Sequence, residues 1–321
     1  MAAALLAGGV VLLWAGAEAM VRGSITLGLR LAISPMVIGL TVVSIGTSAP
    51  ELVVSALAAL RGSPDIAVGN VLGSNLANVG LVLGIAALLS PLVVARQVVR
   101  REIPWMLAIT VLAFPLFLDL NVGRWEGGAL ALLLLLYLGF LVPAARKEDR
   151  TLLGDAAPKL EGPAARRISG ARDVLVPLAM VAAGVVGLVA GGQGIVRGAT
   201  EVASALGISE LVIGLGVVAV GTSLPELATT ILAALRREAD LAVGNIVGSN
   251  IFNLTFVLGG AAFIHPLDIP ERVLRVEFPA AFLVSLLLLP LAWSGRTLGR
   301  LEGLLLLGAY GAAWAWILTA G

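Results

Sequence analysis

The chain has 321 residues, a net charge of +1 and a mean hydropathy of +1.03, with 13% charged residues where a soluble chain carries about 25%. That balance excludes a soluble globular protein and a nucleic-acid binder, which needs a concentrated basic surface; the lack of cysteine removes disulfides, thiolate metal sites and cysteine nucleophiles. What remains is an all-α integral membrane protein with room for about ten spans of roughly 20 residues.

In chain order, the first apolar stretch is 3–29. Met1 to Met20 hold one ionisable side chain, Glu18, and the first arginine is Arg22. The positive start of a secretory signal is missing, so this stretch is expected to remain as a span. Stretches 34–60, 66–92, 103–120 and 126–144 complete a first group of five. A segment of mixed charge with proline and glycine, 146–172, reads as a cytoplasmic linker, too short and too polar for a regulatory domain. Five further stretches follow at 174–204, 209–235, 241–266, 276–294 and 300–320.

The two groups are copies of one another. Shifted by 175 residues, Val21–Gly84 aligns without a gap on Val196–Gly259, and 35 of the 64 positions are identical. The same offset pairs Arg100, Glu102 and Pro104 with Arg275, Glu277 and Pro279; one inserted residue later GRWEG at Gly123 matches GRLEG at Gly299. The chain therefore divides into a first five-helix repeat, 1–145, with its motif block at 46–84, the linker 146–172, and a second repeat, 173–321, with its block at 221–259. An odd helix number per copy makes the second enter the membrane from the opposite side, so ten transmembrane helices form two inverted repeats. With both termini outside the cell membrane, 16 of the 21 basic residues fall on the inner loops and helix ends, leaving Arg61, Arg124, Arg197, Arg272 and Arg275 outside.

Within this apolar frame a few polar residues stand out. Glu51 and Glu226 each lie inside a span, where a carboxylate is costly and faces the bundle interior. Inversion brings the two to a common site near the midplane. Pro50 and Pro225 cannot donate to the preceding turn, which frees carbonyls near Ser44 to Thr47 and near Ala219 to Thr222. At helical spacing Ser44, Thr47, Ser48, Glu51 and Ser55 form one stripe, and Thr222, Ser223, Glu226 and Thr230 its counterpart. The next helix adds Asn70, Ser74 and Asn78, mirrored by Asn245, Ser249 and Asn253, beside small residues that fit a packing groove. Two carboxylates among hydroxyls, amide oxygens and bare carbonyls suit a hard cation, one Ca²⁺ or several Na⁺, and offer nothing to copper or zinc.

Other residues carry ordinary expectations. His265, the single histidine, falls at a membrane edge; Asp65 and Asp240 stand at helix starts, where they are expected to cap; Glu18 pairs with Gln193 across the repeat, near the pathway or in a helix contact. No HExxH or GxSxG motif occurs, so neither enzymatic activity nor a cofactor is expected, and an ion channel fits inverted, broken helices less well than alternating access.

The paired blocks GTSAPE with GNVLGSNLAN and GTSLPE with GNIVGSNIFN resemble the two α-repeats of the sodium/calcium exchanger family, prokaryotic type, within the cation/Ca²⁺ antiporter superfamily. The resemblance implies that Glu51 and Glu226, with the backbone carbonyls of Thr47 and Thr222, bind Ca²⁺. It implies flanking Na⁺ sites from Ser48, Ser74, Ser223 and Ser249 with the carbonyls of Ser44 and Ala219, and Asn78 and Asn253 at the middle of the cluster. Relatives of this kind exchange Na⁺ for Ca²⁺ by sliding the first and sixth helices over a rigid core, and Gly16–Gly28 and Gly184–Gly198 fit those helices. Some relatives, including potassium-dependent exchangers, carry aspartate in place of Asn78 or Asn253; asparagine at both implies potassium independence, and H⁺/Ca²⁺ exchange is the alternative. The expected partners are the transported ions and the lipid bilayer, with no nucleic acid and no protein partner implied.

Overall fold

The computed structural model describes residues 1–31, 33–156, 171–206 and 219–320. Its helices are α1 (Ala2–Leu31), the half-helices α2 (Pro35–Thr47) and α3 (Ala49–Leu60), α4 (Pro64–Leu89), α5 (98–113), α6 (Arg124–Ala156) and α7 (Arg172–Ala205). After residues 207–218, which lie outside the described set, come α8 (Ala219–Thr222), α9 (Leu224–Leu235), α10 (Ala239–Ile264), α11 (Val273–Trp293) and α12 (Arg300–Thr319). Among the described residues seven helices are long and apolar enough to cross a membrane, and α2 with α3, bent by 44°, makes an eighth.

One expected stretch is altered and another is described only in part. Stretch 103–120 ends early in a tight turn at Phe114–Phe117, where Pro115 interrupts the helical hydrogen bonding, and stretch 209–235 is described only from Ala219. Within the linker read over 146–172 the backbone of α6 stays helical to Ala156; residues 157–170 lie outside the described set and α7 begins at Arg172.

The pair α1 and α7 lies on the outside of the bundle. Glycines recur every seven residues at Gly9, Gly16 and Gly23, and the facing helix carries Pro177, Gly184 and Gly191 at the same period. A Cβ on Gly9 would lie 2.8 Å from the Gly191 carbonyl oxygen, and one on Gly16 would lie 2.9 Å from that of Gly184. The two backbones therefore touch along an antiparallel seam that admits no larger side chain. Only 33% and 28% of the apolar windows of α1 and α7 are buried, against 78% and 94% for α4 and α10, so the glycine-seamed pair lies outside and α4 and α10 form the centre.

Two short antiparallel ribbons tie the halves together. β1 (Leu92–Val93) pairs with β4 (Thr297–Leu298), and β2 (Asn121–Val122) pairs with β3 (Leu267–Asp268). In the repeat β1 corresponds to β3 and β2 to β4, so each ribbon joins one strand from either half and the two ribbons are built from equivalent strands. Because β1 precedes α5 and β2 follows it, the ribbons stand at opposite ends of that helix.

Candidate functional site

The break between α2 and α3 falls at Ser48 (φ −81°, ψ 6°), two residues ahead of Pro50, which occupies the first turn of α3. Proline is tolerated there because a helix's first N–H groups have no internal acceptor. The Ser44 carbonyl keeps its helical bond to the Ser48 N–H at 2.9 Å. The carbonyl that Pro50 cannot serve is that of Gly46. The second copy breaks at Ser223 (φ −85°, ψ 5°) ahead of Pro225, but there the Ser223 N–H turns to the Val220 carbonyl at 3.2 Å. Each glutamate thus sits in the first turn of a half-helix, α3 for Glu51 and α9 for Glu226, and both are fully buried.

The motif hydroxyls converge on Glu226. Ser48 donates to its Oε1 at 3.2 Å across the interface between the halves, and the hydroxyls of Thr47 and Ser249 also face this carboxyl. Thr47 Oγ1 donates to Asn245 Oδ1 at 3.2 Å and lies 3.4 Å from Ser249 Oγ. The Ser44 hydroxyl is taken up by the backbone, donating to the carbonyls of Gly39 (2.6 Å) and Asn245 (2.9 Å). Around Glu51, Asn70 donates to the glutamate's own carbonyl at 3.2 Å and to Ser55 Oγ at 3.0 Å, while Asn245 Nδ2 donates to the equivalent Thr230 at 3.1 Å. Ser74 faces the Glu51 carboxyl, and the Glu226 charge lies within electrostatic reach of it. Thr222 is buried, and Ala219 opens α8.

Asparagines of both halves interlock where α4 crosses α10. Asn75 Nδ2 donates to the Asn250 carbonyl and Asn250 Nδ2 to the Asn75 carbonyl, each at 3.2 Å. Asn78 Nδ2 donates to Asn250 Oδ1 at 3.1 Å, and Asn253 Nδ2 to Asn75 Oδ1 at 3.0 Å. With both amide nitrogens engaged this way, Asn78 Oδ1 and Asn253 Oδ1 are buried without a protein partner. At the same two residues the helices widen into π-turns, Asn78–Val82 and Asn253–Val257, a distortion frequent at functional sites.

Sequence reasoning missed three of these residues. Asn75 and Asn250 repeat in both copies within otherwise apolar helices, a sufficient signal, but they stand one residue off the stripe through Ser74 and Ser249. Thr229 lies one helical turn beyond Glu226 with its hydroxyl buried and unpartnered; Val54 holds the equivalent place, so the repeat did not point to it. Other expectations are corrected. Asp65 and Asp240 do not cap: the cap positions are Ser63 and Glu238, and the aspartates lie in the first turn, where their charge favours the helix dipole. Glu18 is in a helix contact, paired with Arg22 on α1 and with Arg236 at the end of α9. His265 is exposed at the end of α10.

The site is defined by its unpartnered oxygens. Of ten buried side-chain atoms without a hydrogen-bond partner among the described residues, eight belong here: both oxygens of Glu51, Oε2 of Glu226, the hydroxyls of Ser74, Ser223 and Thr229, and the amide oxygens of Asn78 and Asn253. All are oxygens. Each unsatisfied polar group costs about 1–3 kcal/mol, so together they would cost as much as a typical domain's net stability of about 5–15 kcal/mol. Such a set suits a ligand that takes oxygen donors, as a hard cation does.

A helical membrane bundle whose paired half-helices meet at a buried all-oxygen cluster has the architecture of a secondary cation transporter. The profile of the family described as "Sodium/calcium exchanger protein" matches residues 1–142 and 176–319. Inner membrane protein YrbG of Escherichia coli K12 is 39% identical over 97% of this chain and 94% of its own. Sodium/calcium exchanger MaX1 of Methanosarcina acetivorans is 35% identical over 94% of each. The sodium-calcium exchanger NCX_Mj, in a structure soaked with zero Na⁺ and Ca²⁺, superposes with a TM-score of 0.83 at 31% identity over 98% of both chains. The chain belongs to the sodium/calcium exchanger family, a family of membrane antiporters.

Proposed function

We propose that the chain exchanges Na⁺ for Ca²⁺ by alternating access, independently of K⁺, at one cluster shared between ten spans arranged as two inverted repeats. The observation that carries this reading is the set of eight unpartnered buried oxygens contributed by both halves around two carboxylates. Two carboxylates balance one Ca²⁺, and the flanking neutral oxygens suit Na⁺. In this reading Glu51 and Glu226 hold Ca²⁺ with the carbonyls of Thr47 and Thr222, and Ser48, Ser74, Ser223 and Ser249, with the carbonyls of Ser44 and Ala219, hold Na⁺. Asn78 and Asn253 add neutral oxygens at the middle, so no third carboxylate recruits K⁺. The close backbone contact along the glycine seam of α1 and α7 supports their moving as one unit.

Uptake of ⁴⁵Ca²⁺ into proteoliposomes under imposed Na⁺, K⁺ or H⁺ gradients tests the coupling. Uptake should follow the outward Na⁺ gradient and be indifferent to K⁺; uptake that follows only H⁺ replaces this reading with H⁺/Ca²⁺ exchange. Both termini lie outside the cell membrane in this reading. Asp155→Cys should then label only from the cytoplasmic side and Ser63→Cys only from outside, and labelling of both from one side would overturn the inverted arrangement.

A further inference from the structure

Far from the cation cluster, at the β1–β4 end of the bundle, a cavity of about 430 Å³ is lined by Arg96, Val99, Arg100, Trp293, Gly295 and Arg296. Three arginines line it. All three arginines are exposed, and none makes an ion pair among the described residues. Arg100 lies over the Trp293 ring, 5.8 Å from its centroid, so the wall beside the charges is aromatic. Glu238 and Asp240 line a separate cavity beyond Ala95, together with Arg237.

The backbone presents Arg296 at some cost. Gly295 (φ 72°) and Arg296 (φ 52°) are both left-handed, and the Val94 N–H holds the Arg296 carbonyl at 2.8 Å. A left-handed conformation costs a non-glycine residue about 1–2 kcal/mol. The repeat supplies an internal control, because the same turn recurs at the β2–β3 end with Leu120 at φ 61°. There the equivalents of Gly295, Arg96 and Arg100 are Asp119, Glu271 and Arg275, and Arg275 is paired with Glu271. One scaffold thus carries three free positive charges at one end and a net negative charge at the other. Orientation by loop charge alone does not require those arginines to share a cavity with a tryptophan.

We infer that the Arg96, Arg100 and Arg296 cavity binds the phosphate headgroup of an anionic phospholipid. Arginine forks match phosphate oxygens in pairs, tryptophan sits at headgroup level, and a basic cavity beside spanning helices suits such a headgroup. The inference depends on the proposed orientation only for the leaflet, which is then the cytoplasmic one. Binding itself requires neither Na⁺ nor Ca²⁺.

The test uses the purified full chain in phosphatidylcholine nanodiscs doped with phosphatidylglycerol, without Na⁺ or Ca²⁺, read by native mass spectrometry and by the thermal midpoint. One phosphatidylglycerol should be retained per chain and raise the midpoint. Retention should weaken about fivefold for each of Arg96→Ala, Arg100→Ala and Arg296→Ala, whereas Arg275→Ala at the opposite end should leave it unchanged. If an alanine variant fails to fold, Arg296→Gln and Arg96→Gln take its place with the same expectation. No preferential retention by the wild type, or equal retention by the arginine variants, overturns the inference. An equal midpoint shift from inorganic phosphate at the same concentration identifies a free-phosphate site and overturns the lipid assignment. Since no transport is read, these outcomes stand apart from success or failure of the exchange reading.

Discussion

Glu51 and Glu226 stand at equivalent places in two copies of one motif, yet their surroundings differ. Glu226 accepts a hydrogen bond from Ser48 and is faced by Thr47 and Ser249, whereas Glu51 is faced by Ser74 alone and, among the described residues, neither its oxygens nor the hydroxyl of Ser223, the equivalent of Ser48, has a hydrogen-bond partner. The local sequences, GTSAPEL and GTSLPEL, differ at one position. The inequality therefore lies in how the halves are disposed around the cluster rather than in which groups they carry. An inverted-repeat transporter that opens alternately to either side needs two such dispositions, with the environments exchanged between them.

The largest expected effect comes from the glutamates. If both carboxylates balance one Ca²⁺, as proposed, Glu51→Gln and Glu226→Gln should each abolish exchange while the chain still inserts, despite the unequal surroundings. Near-normal ⁴⁵Ca²⁺ uptake by either variant would show that the two do not share a site. A smaller effect is expected where Asn75 and Asn250 orient the amides of Asn253 and Asn78. Removing a group that orients a metal ligand costs about 10–100-fold in affinity, so Asn75→Ala and Asn250→Ala should weaken Ca²⁺ binding to that extent. Lower thermal stability with unchanged affinity would assign them a packing role alone. A change of similar size, and the most discriminating, concerns Ser48 and Ser223. A hydrogen bond to a charged group contributes about 1.5–3 kcal/mol. If that bond exists in one disposition only, Ser48→Ala shifts the ratio of apparent Na⁺ affinities on the two faces roughly tenfold or more one way, and Ser223→Ala shifts it the other way. A shift in the same direction for both would show that the Ser48 bond persists throughout transport.

Much of this site was legible because the repeat marks it twice. A glutamate following proline inside an apolar span is an anomaly once; at Glu51 and Glu226 it recurs, and the same offset picks out Ser74 with Ser249 and Asn78 with Asn253. What the sequence concealed depends on three-dimensional crossing. The Asn75 and Asn250 interlock forms only where α4 meets α10, and the π-turns at Asn78 and Asn253 follow no residue pattern that a 3.6-residue period reveals. The Ser44 carbonyl, expected among those that Pro50 frees, keeps its bond to the Ser48 N–H, since Pro50 is accommodated in the first turn of α3. The helical extension of α6 through 146–156 ran against the charge pattern, whose polar residues are compatible with a helix leaving the membrane.

Equilibrium binding of ⁴⁵Ca²⁺ to the purified chain tests the shared site most directly, because it counts ions without requiring a transport cycle. One Ca²⁺ should bind per chain, be displaced by Na⁺ and not by K⁺, and be lost completely in Glu51→Gln and in Glu226→Gln alike. Two bound Ca²⁺ ions per chain, or retention of binding at half the stoichiometry in either variant, would contradict a single cluster built from both halves.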